Sequence, residues 1–488
     1  MNKKLLYTLS LTILTTFFSF SQTPCVGGKA GNYPCNGYDL MSNINTSTLS
    51  GSASAEGADI WGWTDPTTNK EYAIASMTNS TAFVDITDPV NPIYLGRLNT
   101  NAGSNFWRDV KVYKNHAFIV ADNVGAHGMQ VFDLTRLRGV TTPQNFTSDT
   151  VFTGVNSCHN IVINEATGYA YLVGCGGFYS GGPVFVDITD PKNPKAAGGY
   201  SAQGYTHDAQ VVTYNGPDTD YTGKEILIAS NGNVGGTNDV VVIDVTNKTS
   251  PKFISKITYP NARYTHQGWF TEDQSHFILG DELDEQRVGT NTKSVVFDLT
   301  DLDAPKLSST YLGPTAAIDH NGYVKGNEFF IANYTAGLRV LDISNISAST
   351  NSMVETGYFD TYPENNSTSF KGVWSVYPYF ASGNIILNDI NRGLFVVRKS
   401  GTLSTDNVDL TKSKFTIFPN PSNKTTNPRV IAQNNTINSI EVYNILGKRV
   451  FLEKNISQKE FTIPMKKEAK GVYIIKINDK ISKKLILR

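Results

Sequence analysis

Charge is scarce in this chain: 17% of its 488 residues are charged, and the formal net charge at pH 7 is -1. A chain so close to neutrality has no overall charge that would favour a nucleic-acid partner. The sequence also lacks the HExxH, P-loop, GxSxG and CxxC motifs, so it carries none of the familiar signatures of metalloproteases, nucleotide-binding proteins, serine hydrolases or thiol oxidoreductases. Beyond residue 20, no apolar run approaches the roughly 18 residues that a membrane-spanning helix needs.

Glycine is plentiful, with 41 residues, and aromatic residues make up 11% of the chain. Together with abundant Asn, Thr and Ser, this composition indicates a turn-rich β protein. The length is sufficient for two to four domains.

The first residues predict a secretory signal peptide over residues 1–21. Lys3 and Lys4 precede an apolar run from Leu5 to Phe20, and polar residues follow at once. We expect cleavage near Ser21. No cysteine directly follows the apolar run, so a lipid-anchored N-terminus is not expected.

Only four cysteines are present, and export would place them in an oxidising compartment. Cys25 and Cys35 flank a loop rich in Gly, Pro and Asn. Cys158 and Cys175 flank two strand patterns joined by the turn EATG, which would bring them opposite each other. We therefore predict the disulfides Cys25–Cys35 and Cys158–Cys175, with free buried thiols as the alternative.

A short phrase centred on histidine recurs along the chain. It reads SCHNIVIN at residues 157–164, YTHDAQVV at 205–212, YTHQGWF at 264–270 and IDHNGYV at 318–324. The same period reaches back to residues 57–63 and 106–112 and forward to residues 370–376, which makes seven copies. Each copy continues with short apolar strands and Gly- or Asn-rich turns, and the third strand often closes on Asp, as in VFVDITDP.

Four short antiparallel strands in a repeat of about 50 residues are typical of a β-propeller blade. We predict an all-β protein with a seven-bladed propeller over residues 51–400. The seventh copy has only three strands, so a strand within residues 22–50 is expected to close the ring. A linker at 401–413 and a small C-terminal β-sandwich at 414–488 complete the predicted domains.

The strands VFVDITDPKNP and LRVLDIS look like LVIVD repeats, and residues 25–399 resemble the secreted choice-of-anchor B family. This resemblance implies a propeller in a secreted or cell-surface protein. It implies no defined biochemical activity.

The C-terminal segment changes character. From Lys412 onward it carries sixteen Lys or Arg against five Asp or Glu, and it opens with FTIFPNPSN. With INSIEVYNILGKRV and the terminal KKLILR, it resembles a type IX secretion sorting domain of Bacteroidetes-type bacteria. The resemblance implies export through the periplasm and across the outer membrane, with the type IX machinery as a partner. The alternative is an ordinary carbohydrate-binding sandwich.

The repeat places four histidines at equivalent positions of four consecutive blades: His159, His207, His266 and His320. If the repeated phrases are the innermost strands, these side chains converge near one mouth of the central channel. Polar neighbours and the ends of the second strands supply further candidate ligand-binding residues: Asp109, Asn160, Asp208, Gln267, Asn321, Asp122, Asp281 and Glu282.

Neutral imidazoles with nearby carboxylates suit Zn²⁺, whereas oxygen-rich loops suit Ca²⁺. The alternative is structural, since a repeated polar residue can hydrogen-bond the next blade. We therefore favour a monomeric, non-enzymatic module that binds an extracellular ligand or protein. The alternative function is a metal-dependent hydrolase or lyase acting on an extracellular polymer, with Asp208 or Asp319 as the base.

Overall fold

The computed structural model describes residues 22–233, 236–401, 415–423, 426–432, 436–444, 448–478 and 481–488. The predicted signal peptide and the predicted linker, apart from residue 401, lie outside these residues. The chain divides into two compact units near residue 402, and each is described by itself. No helix among the described residues has the length and hydrophobicity needed to cross a membrane.

The first unit is built almost entirely of short β-strands. Before the first repeat lie β1 (Lys29–Ala30), β2 (Tyr33–Asn36), β3 (Tyr38–Ile44) and the short helix α1 (Thr46–Ser50). The first two repeats contain β4 (Gly57–Thr64), β5 (Glu71–Met77), β6 (Ser80–Asp85), β7 (Ile93–Asn99), β8 (Arg108–Tyr113), β9 (His116–Ala121), β10 (Met129–Asp133), β11 (Gln144–Phe146) and β12 (Thr150–Phe152). The next two contain β13 (Asn160–Asn164), β14 (Tyr169–Val173), β15 (Val184–Asp187), β16 (Lys195–Gly199), β17 (Asp208–Thr213), β18 (Glu225–Asn231), β19 (Asp239–Asp244) and β20 (Lys252–Ile257).

The remaining repeats contain β21 (Thr265–Phe270), β22 (His276–Asp281), helix α2 (Asp284–Val288), β23 (Lys293–Asp298), β24 (Lys306–Leu312), β25 (Gly322–Lys325), β26 (Glu328–Ala332), β27 (Leu338–Asp342), β28 (Val354–Phe359), β29 (Val373–Tyr377), β30 (Asn384–Asp389) and β31 (Gly393–Lys399). Three single-turn 3₁₀ helices lie at Leu134–Leu137, Tyr179–Gly181 and Thr219–Tyr221.

The described strands of this unit form seven sheets of four or more strands. Consecutive strands of a repeat pair antiparallel, as in the order β17-β18-β19-β20. The innermost strands β4, β8, β13, β17, β21, β25 and β29 each contact the next, and β29 contacts β4. The sheets therefore stand around a closed ring, and the predicted β-propeller class is confirmed.

Each sheet is buried on both faces because it packs between two neighbours. Ile60 and Val84 of the first sheet share a core with Ile386 and Val396 of the seventh. The middle strands, such as β6 and β18, are buried along their whole length, while outer strands such as β24 are mostly exposed. Burial on both faces explains why the middle strands are continuous apolar runs without strict alternation.

The Asp that closes many third strands fixes the turn that follows. The Oδ1 atoms of Asp85, Asp187 and Asp244 each accept a hydrogen bond from the backbone N–H two residues later. Such Asx turns explain the recurrence of DITDP-like sequences without a bound cation.

The outer strand of the first sheet carries an extra neighbour, since β11 pairs parallel to β7. Gly96 permits this approach: its φ is +125°, and a Cβ atom there would lie 2.0 Å from the carbonyl oxygen of Gln144. Only glycine fits this position.

The seventh sheet takes its outermost strand from the N-terminus, because β3 pairs antiparallel with β31. Tyr38 of β3 is 2% exposed and packs in the same cluster as Phe395 and Val397 of β31. Strands β2 and β1 then extend the sixth sheet beyond β28. The N-terminal segment thus covers the apolar edge that the last repeat leaves open.

Both predicted disulfides are confirmed. Cys25 is bonded to Cys35, and Cys158 to Cys175, with no free cysteine among the described residues. The second bond joins the segment just before β13 to the segment just after β14, beside the pair formed by Asn160 and Val173.

A buried arginine occupies the position in β8 that histidine holds in four other repeats. The Arg108 guanidinium is 2% exposed, donates to the Thr100 hydroxyl at 2.8 Å and lies 3.4 Å from Nε2 of His127. Nδ1 of His127 lies 2.9 Å from the carbonyl oxygen of Gly128, so it carries the proton and leaves Nε2 as the acceptor. Burial, aided by Arg108, lowers the pKa of His127 to about 4.

The second unit is a β-sandwich of two sheets. Its strands are β32 (Phe415–Phe418), β33 (Arg429–Ala432), β34 (Ile437–Asn444), β35 (Arg449–Gln458), β36 (Glu460–Thr462), β37 (Gly471–Ile477) and β38 (Ile481–Leu487). The sheets have the orders β32-β33-β36 and β35-β34-β37-β38, and Val430 and Val442 contribute to their common core. The predicted C-terminal sandwich is confirmed.

Tyr38→Ala tests the contribution of the closing strand. Because a large buried side chain is lost at the closing strand, we expect a loss of about 3–5 kcal/mol in the free energy of unfolding. Urea unfolding measures it. Val354→Ala is the control on the neighbouring outer strand β28, since Val354 is 50% exposed and its loss should change stability by less than about 0.5 kcal/mol. Equal effects of the two substitutions would contradict the closing role of Tyr38.

His127→Gln tests the buried Arg108–His127 pair through pH. The folded pKa of about 4 lies below the ordinary value of 6.5, so the unfolded chain binds more protons in this window and stability falls as pH drops from 6.5 to 4. Glutamine still accepts a hydrogen bond but does not titrate. The parent should therefore lose about 3 kcal/mol more than the variant across this window, as measured by urea unfolding at each pH. If the free energy of unfolding changed with pH equally in the two proteins, the lowered pKa of His127 would be refuted.

Candidate functional site

The four repeated histidines lie side by side at one end of the inner strands. The ring centroids of His159 and His207 are 4.2 Å apart, those of His207 and His266 are 4.5 Å apart, and those of His266 and His320 are 4.3 Å apart. The backbone N–H groups of His159, His207 and His320 each bond a carbonyl of the second strand of their own sheet. This shared register places the imidazoles at one level of the channel.

Aromatic side chains complete the circle. The Trp374 ring lies 4.6 Å from His320 and 5.8 Å from Phe106, and Phe106 lies 5.0 Å from Trp107. Trp107 lies 6.3 Å from His159, which closes a ring of seven aromatic side chains. We call it the histidine ring.

Glu282 lies between two of these histidines. Its Oε2 is 3.7 Å from Nε2 of His266, its Oε1 is 3.6 Å from Nε2 of His320, and Oε1 accepts a 2.9 Å hydrogen bond from the Tyr334 hydroxyl. Ligand atoms of His266, Glu282 and His320 all lie within 4.8 Å of one another. Among the described residues of the histidine ring, this group is close enough to share one cation.

Hydrogen bonds orient three of the four imidazoles of the ring. Nδ1 of His320 lies 2.6 Å from the carbonyl oxygen of Trp374 and must donate to it, which leaves the Nε2 lone pair free. Nδ1 of His159 lies 3.0 Å from Oδ2 of Asp122. Nδ1 of His207 lies 2.9 Å from the Tyr264 hydroxyl, while its Nε2 is buried without a partner among the described residues.

Burial sets the charge of the site. It lowers the pKa of His207 and His266 well below the ordinary value and that of His320 to about 3, so these imidazoles are neutral. Burial also raises the pKa of Glu282 to about 7. The low histidine pKa values mean that the contacts with Glu282 are not ion pairs at neutral pH.

A pocket of about 290 Å³ opens beside Glu282. It is lined by Glu56, Phe106, Trp107, Glu282, Tyr334, Phe370, Trp374 and Ile390. Five of these side chains are aromatic, so a ligand there would meet ring faces next to two carboxylates. Glu56 and Tyr334 stood outside the sequence prediction, because neither occupies a repeated position of the inner strand.

Four of the predicted polar residues join neighbouring inner strands. Oδ2 of Asp109 accepts from the N–H of Ile161, and Nδ2 of Asn160 donates to the carbonyl of His207. Gln267 bonds both backbone groups of Gly322, at 2.9 and 3.1 Å. Nδ2 of Asn321 reaches the Ser375 hydroxyl at 3.4 Å. These side chains hold successive sheets together.

The other predicted residues lie in different surroundings. Asp122 pairs with His159, as described above. Asp281 is fully buried and accepts from the Tyr259 hydroxyl and from the N–H groups of Arg263, Tyr264 and Leu283, so its oxygens are engaged. Asp208 accepts from its neighbour's N–H, and burial raises its pKa to about 7.

Deeper in the channel, Lys111 forms a charged cluster that the sequence repeat did not predict. Its ammonium donates to Asp109 at 2.5 Å and to Asp59 at 3.0 Å. Despite the opposing effect of burial, the two carboxylates hold the pKa of Lys111 well above its usual range. A lysine in only one of seven repeats gives no periodic signal, so the sequence could not indicate this pairing.

A second cavity, of about 450 Å³, lies at the other end of the inner strands. Trp61, Trp269, Tyr377 and Tyr379 contribute to its wall. These rings also pack against one another: the centroid of Trp61 lies 5.1 Å from that of Tyr377, and Trp269 lies 4.9 Å from Tyr323. Trp61 and Trp269 therefore pack between sheets as well as bordering this cavity.

Comparison with family models identifies two kinds of segment in the chain. The LVIVD repeat matches residues 234–258 and 323–361. The secretion system C-terminal sorting domain matches residues 416–488. A comparison with curated proteins found no match. The resemblance to the choice-of-anchor B family stays a prediction.

Several solved structures are similar in part. PorZ of Porphyromonas gingivalis, an essential surface component of the type IX secretion system, is 12% identical with a TM-score of 0.44, and the alignment covers 86% of this chain and 58% of that chain. A putative 6-phosphogluconolactonase from Bacteroides uniformis is 14% identical with a TM-score of 0.44, covering 60% of this chain and 86% of that chain. The C-terminal WD40 domain of Sif2 is 8% identical with a TM-score of 0.45, covering 74% and 98%. Likenesses this distant do not indicate what the present chain binds.

The C-terminal match indicates export by type IX secretion to the cell surface or the extracellular space, with the secretion machinery as a partner. The strand topology described above gives the architecture of the first unit. The chain is therefore a type IX secretion-associated β-propeller protein that carries LVIVD repeats and ends in a secretion system C-terminal sorting domain.

Proposed function

We propose that the propeller is a binding module whose site is the pocket at the histidine ring, with a divalent transition metal held by His266, His320 and Glu282. The observation that carries this proposal is the position of Glu282. Each of its carboxylate oxygens faces Nε2 of a different buried histidine, at 3.7 and 3.6 Å.

A cation between these three groups would balance the negative charge of ionised Glu282. Neutral imidazoles cannot neutralise Glu282, and a buried carboxylate without a counter-charge is unfavourable. A metal ion would accept the Nε2 lone pairs and the carboxylate together. The hydrogen bond from Nδ1 of His320 to the Trp374 carbonyl would orient that ligand, as outer-shell partners commonly do at metal sites.

The donor set favours zinc or another first-row transition metal over calcium. Two imidazole nitrogens and one carboxylate suit these metals, whereas Ca²⁺ prefers oxygen ligands alone. Three protein ligands would leave a coordination position for a bound molecule. The neighbouring pocket walls, formed by Trp107, Trp374 and Phe370 among others, would hold the rest of that molecule.

The position of the predicted bases argues against hydrolysis by Asp208 or Asp319 at this pocket. A metal-dependent hydrolase needs a base close to the metal-bound water. Among the described residues that line the pocket, the carboxylates are Glu56 and Glu282, and Asp208 and Asp319 do not line it. Asp208 and Asp319, the bases predicted for a metal-dependent hydrolase or lyase, therefore lie outside this pocket.

Glu282→Gln tests the metal site with little change of shape. The full exported chain, stripped with a chelator and titrated with Zn²⁺ in a calorimeter, should bind one ion, and the variant should bind at least tenfold more weakly because the anionic ligand is lost. Glu272→Gln makes the same substitution beside the other cavity and should bind as the parent does.

Spectra with Co²⁺ as the probe add an independent readout of imidazole ligands. Ligand-field bands that are present in the parent and in Glu272→Gln, and altered in Glu282→Gln, would support the assignment. Equal Zn²⁺ affinity in all three proteins, or no binding by the parent, would overturn the metal site.

A further inference from the structure

A second group of acidic side chains lies outside the histidine ring. Asp284 and Glu285 stand at the start of α2, which connects β22 to β23 of the fifth sheet, and Asp319 precedes β25 of the sixth. All three are buried, with exposed fractions of 0%, 3% and 2%. One oxygen atom from each residue lies within 4.8 Å of the other two. We call this group the carboxylate trio.

Four oxygens of the trio have no hydrogen-bond donor among the described residues. Both oxygens of Glu285, Oδ1 of Asp284 and Oδ1 of Asp319 are buried without a hydrogen-bond partner among the described residues. Buried polar atoms are nearly always hydrogen-bonded, and buried carboxylates especially so. By contrast, the neighbouring Asp281 accepts four hydrogen bonds at 2.7–3.3 Å. The unpartnered oxygens of Glu285 and Asp319 therefore point to a ligand that is bound by oxygen atoms.

The charge of the trio is not balanced by the protein. Lys293 pairs with Asp284, so three carboxylates face one ammonium and a charge of -2 remains when all are ionised. Asp281 adds negative charge nearby and helps to raise the pKa of Asp284 and Asp319, after the larger effect of burial. Such a charge inside a protein must be neutralised by protons or by a cation.

Gly280 makes room for the trio. A Cβ atom at this position of β22 would lie 2.1 Å from Oδ2 of Asp319. The absence of a side chain therefore allows Asp319 to cross from the sixth sheet to the fifth. The trio thus joins the loop after β22 to the segment before β25.

We propose that Asp284, Glu285 and Asp319 hold one Ca²⁺ ion that ties the fifth sheet to the sixth. The donors are all carboxylate oxygens, which is the ligand type that Ca²⁺ prefers. One divalent cation also neutralises the charge of -2. This site differs from the proposed transition-metal site in its donor atoms, and it does not depend on that proposal.

Calcium binding can be measured on the full exported chain after treatment with EGTA. The parent should bind one Ca²⁺ by calorimetry, show Tb³⁺ luminescence that is excited through its aromatic residues and quenched by Ca²⁺, and gain several degrees in its unfolding midpoint with Ca²⁺. Glu285→Gln and, independently, Asp319→Asn should each weaken Ca²⁺ binding at least tenfold.

Two matched substitutions serve as controls. Asp303→Asn alters the group Asp218, Asp301 and Asp303, which has a similar spacing of acids but two exposed members, and it should leave the Ca²⁺ signals unchanged. Glu282→Gln should likewise leave them unchanged, which separates this site from the histidine ring. If both trio variants fail to fold, a parent that binds no Ca²⁺ still overturns the proposal.

Two results would overturn the proposed Ca²⁺ site. A parent that binds no Ca²⁺ in calorimetry, with an unfolding midpoint independent of Ca²⁺, would overturn the proposal and assign the neutralisation to protons shared among the carboxyl groups. Ca²⁺ binding that survives in both folded trio variants would also overturn it, since the ion would then lie elsewhere.

Discussion

The closure of the ring is the constraint on which the rest of the first unit depends. Every sheet is apolar on both faces, so each needs a neighbour on either side. A linear stack would leave two apolar faces in water, whereas a closed ring leaves neither. Strand β3 completes this arrangement by pairing with β31, which brings the two ends of the propeller sequence into one sheet. Closure also fixes the width of the channel, and with it the distances between equivalent residues of different repeats.

The polar side chains in the channel fall into two groups: those with hydrogen-bond partners in the protein and those without. Asp109, Asn160 and Gln267 give their hydrogen bonds to the next inner strand, so their recurrence is explained by assembly of the ring. Lys111 lies between Asp59 and Asp109, and this cluster is internally paired. Nε2 of His207 and the oxygens of Glu285 have no such partners among the described residues. In a medium of low polarity an unmet hydrogen-bonding group is costly, which is why the oxygens of Glu285 support the proposed Ca²⁺ site.

The two proposed cation sites lie on either side of one loop and differ in chemistry. Glu282 faces two imidazoles and an aromatic pocket, while Asp284 and Glu285, two and three residues later, face Asp319. Nitrogen donors favour a transition metal at the first site, and oxygen donors favour Ca²⁺ at the second. The first would serve binding at the channel mouth, and the second would hold two sheets in register around it. Export to the cell surface or beyond is consistent with a module that meets its ligand outside the cell.

The sequence by itself determined the features that repeat or that depend on neighbouring residues. The strands, the Asp-closed turns, the disulfide Cys158–Cys175 across a short hairpin and the C-terminal sorting domain all follow from local patterns. The common register of His159, His207, His266 and His320 follows as well, because equivalent repeat positions fall at equivalent heights. Tertiary structure alone decided which carboxylate lies between His266 and His320. It also decided that His127 accepts a hydrogen bond from Arg108. The approach of Asp319 to Glu285, over Gly280, likewise depends on tertiary structure. These contacts join loops and single residues from different repeats, whose positions depend on the packing of neighbouring sheets and leave no period in the sequence.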